Sequence, residues 1–430
     1  MVCNVFLAKK YIKEDILSII CATVFTSSKY IFVDIFYRAA LGESMAIIFY
    51  LVLLIGIYNM LYENYSKPWL FSIAFLGILF SHITTLLFAI ITLFIVVIFN
   101  CKKLFFDKKF WIKSSLAFGV FLLIGLYFII TFIEMYFADT YQISNPWTTT
   151  SKNAYDFLEI LGITSAYSVG LILFSFAFLL RIILIKIINK KENQKLIDKL
   201  LIISLILVLF TSKLFPWKLF DCLFGSIQFP WRVNFIISIL LSVVICLEIK
   251  ELKEVAFKWS VAVVIFIHVL LLISNSYIHL SHTNSIRNLD SYSTRMFEWY
   301  PVVTEIEDFK DRNIYDNSQN AVEYERKEYT TDLNFVADGN DDYYIVPIVC
   351  YKGYEATLID ENGKTLNLAI ERCDNGMTKI FTNKQKGKVY LHYAGTTIQN
   401  VTFWISFMGT LVLIVSGATY AIVKKKRKHN

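Results

Sequence analysis

The chain has 430 residues, of which 56% are hydrophobic and only 18% are charged, and its mean hydropathy is +0.54. Soluble domains carry about 25% charged residues, and several apolar runs here approach or exceed the roughly 18 residues that a spanning helix needs. The composition therefore excludes an ordinary soluble domain and predicts a polytopic membrane protein. The net charge of +7 resides mostly in short lysine-rich loops, which indicates topology signals rather than nucleic-acid binding.

Apolar runs between charged breaks predict about ten transmembrane helices. The first run is short enough to be re-entrant, and the third and fourth nearly fuse at Ser81-His82, which predicts a tight helical hairpin. Lys and Arg are concentrated in the loops on one side of the runs, and this bias predicts that both termini are cytoplasmic. The runs lie near residues 13–26, 45–61, 68–81, 83–100, 113–134, 163–186, 199–214, 232–248, 258–277 and 400–423.

These runs divide the chain into three predicted parts. Residues 1–277 form a multi-span domain of about nine helices, and residues 399–430 form a last span with a basic cytoplasmic tail. The polar stretch 278–398 contains seven short alternating runs separated by turn residues, which predicts an extracytoplasmic β-sandwich-like domain. Cys350 and Cys373 lie in this stretch and either pair in an oxidising space or remain two free thiols.

The first outer segment, "TSSKYIFVDIFYRAALGE", carries several charges on the membrane face that should be poor in charge. Asp34 and Arg38 are four residues apart with the acid first, so a helix would pair them on one face. Glu43 lies at the threshold of the next span. An arginine with two carboxylates fits an anion-binding and acid–base site. The alternative is a surface ion pair beside an interfacial glutamate that orients the helix.

Two further outer positions are candidates for the same site. His82 follows a serine between two apolar runs, and its ring either bonds the turn backbone or lines a site with Arg38. Arg232 follows the second of two Phe-Pro-Trp tripeptides, where proline starts a helix and tryptophan is usual at a membrane boundary. The Arg232 guanidinium would bind a phosphate, either of a lipid headgroup or of a substrate. Three residues near it in sequence could share the site: Lys213, Lys218 and Asp221.

The motifs of soluble enzymes do not occur in the sequence. It contains no phosphate-binding glycine loop, no nucleophile elbow and no Cys/His zinc spacing. Any chemistry must therefore be assembled from the outer ends of helices, and the sequence predicts neither a cofactor nor a requirement for a divalent metal.

Three segments carry a resemblance to a known family. "FYRAALGE" before a span, "FSHITTLLFAI" at the hairpin and "TSKLFPWKLFDCLFGSIQFPWR" resemble bacterial YfhO-type membrane proteins, which include chains with a 6-pyruvoyl-tetrahydropterin-synthase-related membrane domain. The polar stretch before the last span is similar to the extracytoplasmic β-domain of that group. These proteins are considered members of the GT-C superfamily of integral-membrane glycosyltransferases. The resemblance implies a GT-C-like fold and transfer of a sugar from a polyprenyl-phosphate donor to a cell-envelope polymer or lipid.

The resemblance matches Arg38, Glu43, His82 and Arg232 to family motifs, and the roles that follow are our inference from their chemistry. Glu43 or Asp34 would orient or deprotonate the acceptor hydroxyl. Arg232 with Arg38 would hold the donor phosphate, and His82 would line the site. GT-C enzymes generally carry a catalytic acid in their first large outer loop, and no such loop is visible here. The resemblance therefore implies either an N-terminally truncated relative or transfer of that acid's role to Asp34 or Glu43.

Two other functions fit the composition. A non-catalytic membrane scaffold would present the β-domain, and the missing acidic loop favours this hypothesis. A transporter of a lipid-linked precursor would also bind phosphate and lipid. Transporters, however, place charged groups on broken helices at the membrane midplane and contain repeated halves, whereas these spans are nearly free of charge and show no inverted repeat.

Overall fold

The computed structural model describes residues 2–141, 150–160, 171–187, 191–224, 227–251, 300–302, 304, 312–326 and 332–429, with the single positions 262, 266, 270 and 273. The chain divides into two compact units. The helical unit comprises Met1–Leu122 and Trp147–Tyr292, and the β unit comprises Leu123–Pro146 and Ser293–Asn430.

The chain up to residue 251 is helical in the residues that the structure describes. Its α-helices are α1 (Val2–Ile12), α2 (Asp15–Thr26), α3 (Lys29–Phe32), α4 (Leu41–Tyr62), α5 (Trp69–Ser81), α6 (Ile83–Phe99), α7 (Cys101–Leu104), α8 (Lys108–Ala138), α9 (Phe157–Ile160), α10 (Leu171–Ile187), α11 (Lys191–Thr211), α12 (Trp217–Phe224) and α13 (Asn234–Lys250). A π-helix at Val33–Tyr37 follows α3, and a 3₁₀ helix at Pro230–Val233 precedes α13.

Helix α13 lies in the core of the helical unit. Its sequence is apolar on all sides, and such a helix is stable only when it is enclosed on all sides. The structure agrees, because α13 packs against α1, α2, α10 and α11, and nearly all of its side chains are buried. Phe235 makes two aromatic contacts in this core. Its ring centroid lies 4.9 Å from that of Tyr50 and 6.3 Å from that of Phe88.

Four helices of the described residues are long and apolar enough to cross a membrane: Leu41–Tyr62, Lys108–Ala138, Pro230–Lys250 and Thr397–Thr419. A fifth span results if Asp15–Thr26 and Lys29–Tyr37, which meet at a bend of 58°, are counted together. Helices occupy every predicted apolar run for which a continuous segment is described, but several are shorter than a span. The shorter apolar helices are Trp69–Ser81, Ile83–Phe99 and Ser175–Ile185. The predicted run 258–277 lies outside the described residues except at four positions.

The β unit contains an antiparallel sheet in the order β2-β1-β5-β8-β7-β6-β9-β4-β3. The rings of Phe335 on β4 and Tyr344 on β5 lie 4.9 Å apart although these strands are far apart in that order, so the sheet folds over one shared core. Its strands are β1 (Ile314–Tyr315), β2 (Ala321–Val322), β3 (Tyr324–Arg326), β4 (Leu333–Asp338), β5 (Tyr343–Val349), β6 (Tyr354–Ile359), β7 (Thr365–Arg372), β8 (Met377–Phe381) and β9 (Lys386–Tyr393).

Each of the seven predicted alternating runs contains a strand. The first run contains both β2 and β3, and the two-residue strand β1 was not predicted. Along β4 and β9 buried and exposed residues alternate, which is the pattern on which the prediction depended. Cys350 and Cys373 are free thiols, and burial raises the pKa of each.

Helix α14 (Thr397–His429) follows the sheet and packs on the second half of α8 within the β unit. The backbone N–H of Tyr127 donates to Ser406 Oγ at 3.0 Å. At the end of α8, Glu134 accepts a hydrogen bond from Thr396 Oγ1 at 2.6 Å. It also forms an ion pair with Lys352, whose Nζ lies 3.0 Å from Glu134 Oε1. These contacts fix the first residues of α14 and one strand connection to the same helix end.

Candidate functional site

The candidate site begins at an irregular junction between α3 and α4. The π-helix Val33–Tyr37 carries Asp34, and Ala39 then adopts a left-handed backbone with φ of 49°. Helix α4 begins two residues later and carries Glu43 in its first turn. Short π-helical segments are frequent at functional sites. This one turns the chain so that residues on both sides of the junction face each other.

Arg38 joins the two carboxylates of this junction. Its Nη1 donates to Asp34 Oδ1 at 2.5 Å and to Glu43 Oε2 at 2.9 Å. The second oxygen of Asp34 accepts from Ser44 Oγ at 3.1 Å. Asp34 is 1% exposed and Glu43 is 3% exposed, so the pair predicted from the four-residue spacing exists and is buried rather than at a surface. Buried carboxylates require such partners because desolvation is costly.

Glu43 is the centre of the cluster. Besides Arg38, it accepts a hydrogen bond from the Tyr30 hydroxyl on Oε1, and Arg232 Nε lies 3.9 Å from its Oε2. Two guanidinium groups therefore face two carboxylates in one buried site. Charge-assisted bonds of this kind are stronger than neutral ones and hold their groups in fixed orientations.

Arg232 reaches the cluster from the 3₁₀ helix that precedes α13. Pro230 opens that helix, as predicted from its tolerance in a first helical turn. The Arg232 guanidinium lies 5.0 Å above the ring of Phe229, and its Nη1 donates to Thr84 Oγ1 at 3.2 Å. Arg232 therefore connects the start of α13 to the start of α6 as well as to Glu43.

Trp231 also belongs to the cluster, although the sequence indicates only a membrane-boundary tryptophan. It is buried in the helical unit, and the Arg38 guanidinium lies 4.9 Å from its ring centroid. The ring of Tyr30 is 6.2 Å away. A cation over an aromatic face is attracted to it, so Trp231 helps to hold Arg38 between Asp34 and Glu43.

His82 lies in the break between α5 and α6 and has an extended backbone, with φ of −158° and ψ of 112°. Its Nδ1 is 2.9 Å from Thr85 Oγ1, and its charged neighbours are Glu43, Arg232 and Arg38. Gly42 permits this proximity, because a Cβ at that position would lie 2.7 Å from the carbonyl oxygen of Ser81. The close approach of α4 to the break therefore brings His82 to the charged cluster.

Lys213 is placed differently, and nothing is described of the Asp221 side chain. Lys213 Nζ lies 3.9 Å from Asp156 Oδ2, and both side chains are about half exposed. The backbone of Lys213 donates to Tyr155 O at 2.8 Å. Asp221 lies on α12, and its side chain is outside the described residues. The structure thus groups four of the predicted residues around Glu43: Asp34, Arg38, His82 and Arg232.

Sequence reasoning missed four side chains that complete the cluster: Tyr30, Ser44, Thr84 and Trp231. A signal existed for Tyr30, which precedes Asp34 by four residues as Asp34 precedes Arg38. Thr84 gave no signal, because a hydroxyl inside an apolar run usually bonds its own helix backbone.

The arrangement is suited to binding an oxyanion and to moving a proton. Paired guanidinium groups bind phosphate, and a carboxylate accepts a proton from a hydroxyl. Within the described part of the chain, no group of three His, Cys, Asp or Glu side chains is placed to hold a metal ion. The chain matches no known protein family, no curated protein and no solved structure. Its function must therefore be inferred from this geometry.

Proposed function

We propose that the chain is a GT-C-type membrane glycosyltransferase. It transfers a sugar from a polyprenyl-phosphate donor to a cell-envelope polymer or lipid at the outer face of the plasma membrane. The observation that carries this proposal is the convergence of Arg38 and Arg232 on the buried Glu43. A phosphate leaving group needs positive charge, and an acceptor hydroxyl needs a base, and the cluster supplies both within a few ångströms.

In the proposed reaction the donor phosphate binds to Arg232 and Arg38 and takes the place of their contacts with Glu43. The released Glu43 carboxylate accepts the proton of the acceptor hydroxyl. The acceptor oxygen forms a bond to the anomeric carbon while the bond from that carbon to the phosphate oxygen breaks, and polyprenyl phosphate leaves. Asp34 keeps its contact with Arg38 and holds that guanidinium in place.

The membrane arrangement is part of the same proposal. The apolar runs predict about ten spans, and the distribution of Lys and Arg predicts two cytoplasmic termini and an extracytoplasmic β unit. This topology would put the cluster at the outer ends of the helices, where a lipid-linked donor presents its phosphate. Lys213 and Asp221 remain predicted contributors to substrate binding at the same face.

The test uses the full chain, purified and reconstituted in lipid nanodiscs, with polyprenyl-phosphate-linked sugars and envelope lipids as acceptors. Arg232→Ala should lower transfer by about a hundredfold or more, because it removes a charge that stabilises the leaving group. Lys9→Ala is the control, since its exposed ion pair with Asp15 lies outside the cluster. Transfer at the wild-type rate by Arg232→Ala would contradict the assigned site, and absence of transfer by the wild-type chain would contradict the activity.

A non-catalytic scaffold is the second candidate. It is favoured by the fact that Glu43 already accepts from Tyr30 and Arg38, which is how a structural ion network is built. A scaffold would unfold more readily after Glu43→Gln but would transfer no sugar in the wild-type form.

A transporter of a lipid-linked precursor is the third candidate. The 58° bend between Asp15–Thr26 and Lys29–Tyr37, next to the charged cluster, resembles the broken helices on which transporters bind substrates. Movement of a lipid-linked sugar across a vesicle membrane without transfer would favour this function over glycosyl transfer.

A further inference from the structure

A second group of charged residues lies at the opposite end of α13 from Arg232. Glu248 follows Arg232 by 16 residues, which corresponds to roughly 24 Å along a helix. Helices α10 and α11 pack against α13 and carry Arg181 and Asp198, respectively. The group is therefore separate from the cluster around Glu43.

Arg181 makes an ion pair with Asp198 and has one further nitrogen to offer. Its Nε donates to Asp198 Oδ1 at 2.7 Å. The side chain of Arg181 is 9% exposed, whereas that of Asp198 is 49% exposed. Nη1 of Arg181 is buried and has no acceptor among the residues that the structure describes. One nitrogen of the guanidinium is therefore bonded to Asp198, while a second, buried one has no acceptor in the described part of the chain.

Glu248 is buried and, among the described residues, lacks a hydrogen-bond donor, just as Nη1 of Arg181 lacks an acceptor. Its exposed fraction is 0%, and neither carboxylate oxygen receives a hydrogen bond within the described ranges of the chain. The charges that act on it are the attractive charge of Arg181 and the repulsive charge of Asp198. An isolated carboxylate is among the least favourable groups to bury, so it needs a positive partner.

Three neighbouring lysines have partners elsewhere. On α1, Lys9 pairs with Asp15 of α2, and Lys10 pairs with Glu63. Lys250, on the same helix as Glu248, donates to the carbonyl of Ile12 and pairs with Glu14 at 3.5 Å. Arg181, Asp198 and Glu248 together carry one net negative charge, which one monovalent cation would balance.

We propose that Glu248 is a binding site for one monovalent cation, either a proton or a sodium ion. The described arrangement corresponds to the occupied state, in which Arg181 pairs with Asp198 and the cation neutralises Glu248. When the cation leaves, Nη1 of Arg181 turns to Glu248 and takes over its charge. Arg181 thereby competes with the cation, and the contact between α10 and α13 changes with occupancy.

The test uses the full chain in lipid nanodiscs and two measurements. Infrared difference spectra recorded during a pH titration detect a protonated carboxylic acid, and thermal unfolding in sodium against choline chloride at equal ionic strength detects bound sodium. We expect one of these signals in the wild-type chain and its loss in Glu248→Gln. Loss of the infrared band identifies the proton as the cation, and loss of the sodium-dependent rise in Tm identifies sodium.

Two further variants make the result decisive. Asp198→Asn frees Arg181 from its ion pair and leaves Arg181 and Glu248 with no net charge, so it should shift the midpoint of the titration toward weaker cation binding. Arg181→Met removes the competing guanidinium and should shift the midpoint of the same titration toward tighter cation binding. Absence of both signals in the wild-type chain, or loss of the fold in Glu248→Gln with Arg181→Met showing neither signal, would overturn the proposal.

Discussion

A buried glutamate lies at each end of α13, and the two differ in whether the surrounding residues donate hydrogen bonds to them. At the Arg232 end, Glu43 is 3% exposed and accepts from Tyr30 and Arg38, with Arg232 at 3.9 Å. At the other end, Glu248 is 0% exposed and has no donor among the described residues. Burial alone therefore does not distinguish a structural or catalytic ion network from a site that requires a ligand. The partners of each carboxylate make that distinction.

The same substitution at both ends gives the largest expected difference. Glu43→Gln removes a buried carboxylate that both partly buried guanidinium groups face, so it should lower the free energy of unfolding by about 3–5 kcal/mol. Glu248→Gln replaces a carboxylate that accepts no hydrogen bond from the described residues by a neutral amide of the same shape and should cost less than about 1 kcal/mol. Denaturant-induced unfolding of the two variants in the same detergent measures both values.

Equal costs for the two glutamine variants would remove the contrast between the ends of α13. A large cost at Glu248 with a small cost at Glu43 would reverse it, and would show that Glu248 is held as an ion by a partner within the protein.

A backbone contact gives the next largest effect. It lies at the Arg232 end of α13, called the paired end because its buried carboxylates have partners. Gly42→Ala places a Cβ 2.7 Å from the carbonyl oxygen of Ser81, and the break at His82 must move away from Glu43. Overpacking of this kind should destabilise the chain by about 1–3 kcal/mol. Gly119→Ala is the control, because a Cβ on Gly119 meets nothing within 4 Å and alanine favours the helix. Thermal unfolding should therefore show Gly42→Ala below the wild type and Gly119→Ala at or above it.

Local spacing and topology predicted the parts of the site that depend on nearby residues. The four-residue spacing of Asp34 and Arg38 gave their ion pair, and the charge rule for membrane loops singled out Arg232. Thr84 and Arg232 are 148 residues apart, and only helix packing brings them together. Trp231 was missed because a tryptophan beside an apolar run has the same sequence pattern whether it contacts lipid or packs inside.

The fold, like the site, has features that local sequence patterns predicted and others that they missed. Alternating runs predicted the strands of the β unit except β1, which has only two residues and therefore gives no pattern. Apolar runs predicted the helices Trp69–Ser81 and Ile83–Phe99 and the break at His82 between them, although both helices are shorter than a span. Glu248 and Arg181 were overlooked because they lie near lysine-rich loops, where charges usually face solvent.

A smaller effect tests the long-range hydrogen bond of the paired end. Thr84→Val keeps the shape of the side chain but removes the acceptor that lies 3.2 Å from Arg232 Nη1. The free energy of unfolding should fall by about 1 kcal/mol, with extra loss if the guanidinium finds no substitute. Thr23→Val is the control, since that hydroxyl bonds only to Ile19 O in its own helix. A cost for Thr84→Val no larger than that of the control would show that the Thr84 hydroxyl does not help to hold Arg232.

The smallest effect concerns Lys213, which lies outside the paired cluster in the structure. Its Nζ is 3.9 Å from Asp156, and the two side chains are about half exposed, so solvent screens their attraction. Lys213→Ala should change the free energy of unfolding by about 0–1 kcal/mol, and the difference should vanish in high salt. If the same variant nevertheless lowers sugar transfer as strongly as Arg232→Ala, the segment that carries Asp156 and Lys213 must approach the donor during the reaction, and the paired end of α13 would then extend beyond Glu43 and the four residues around it.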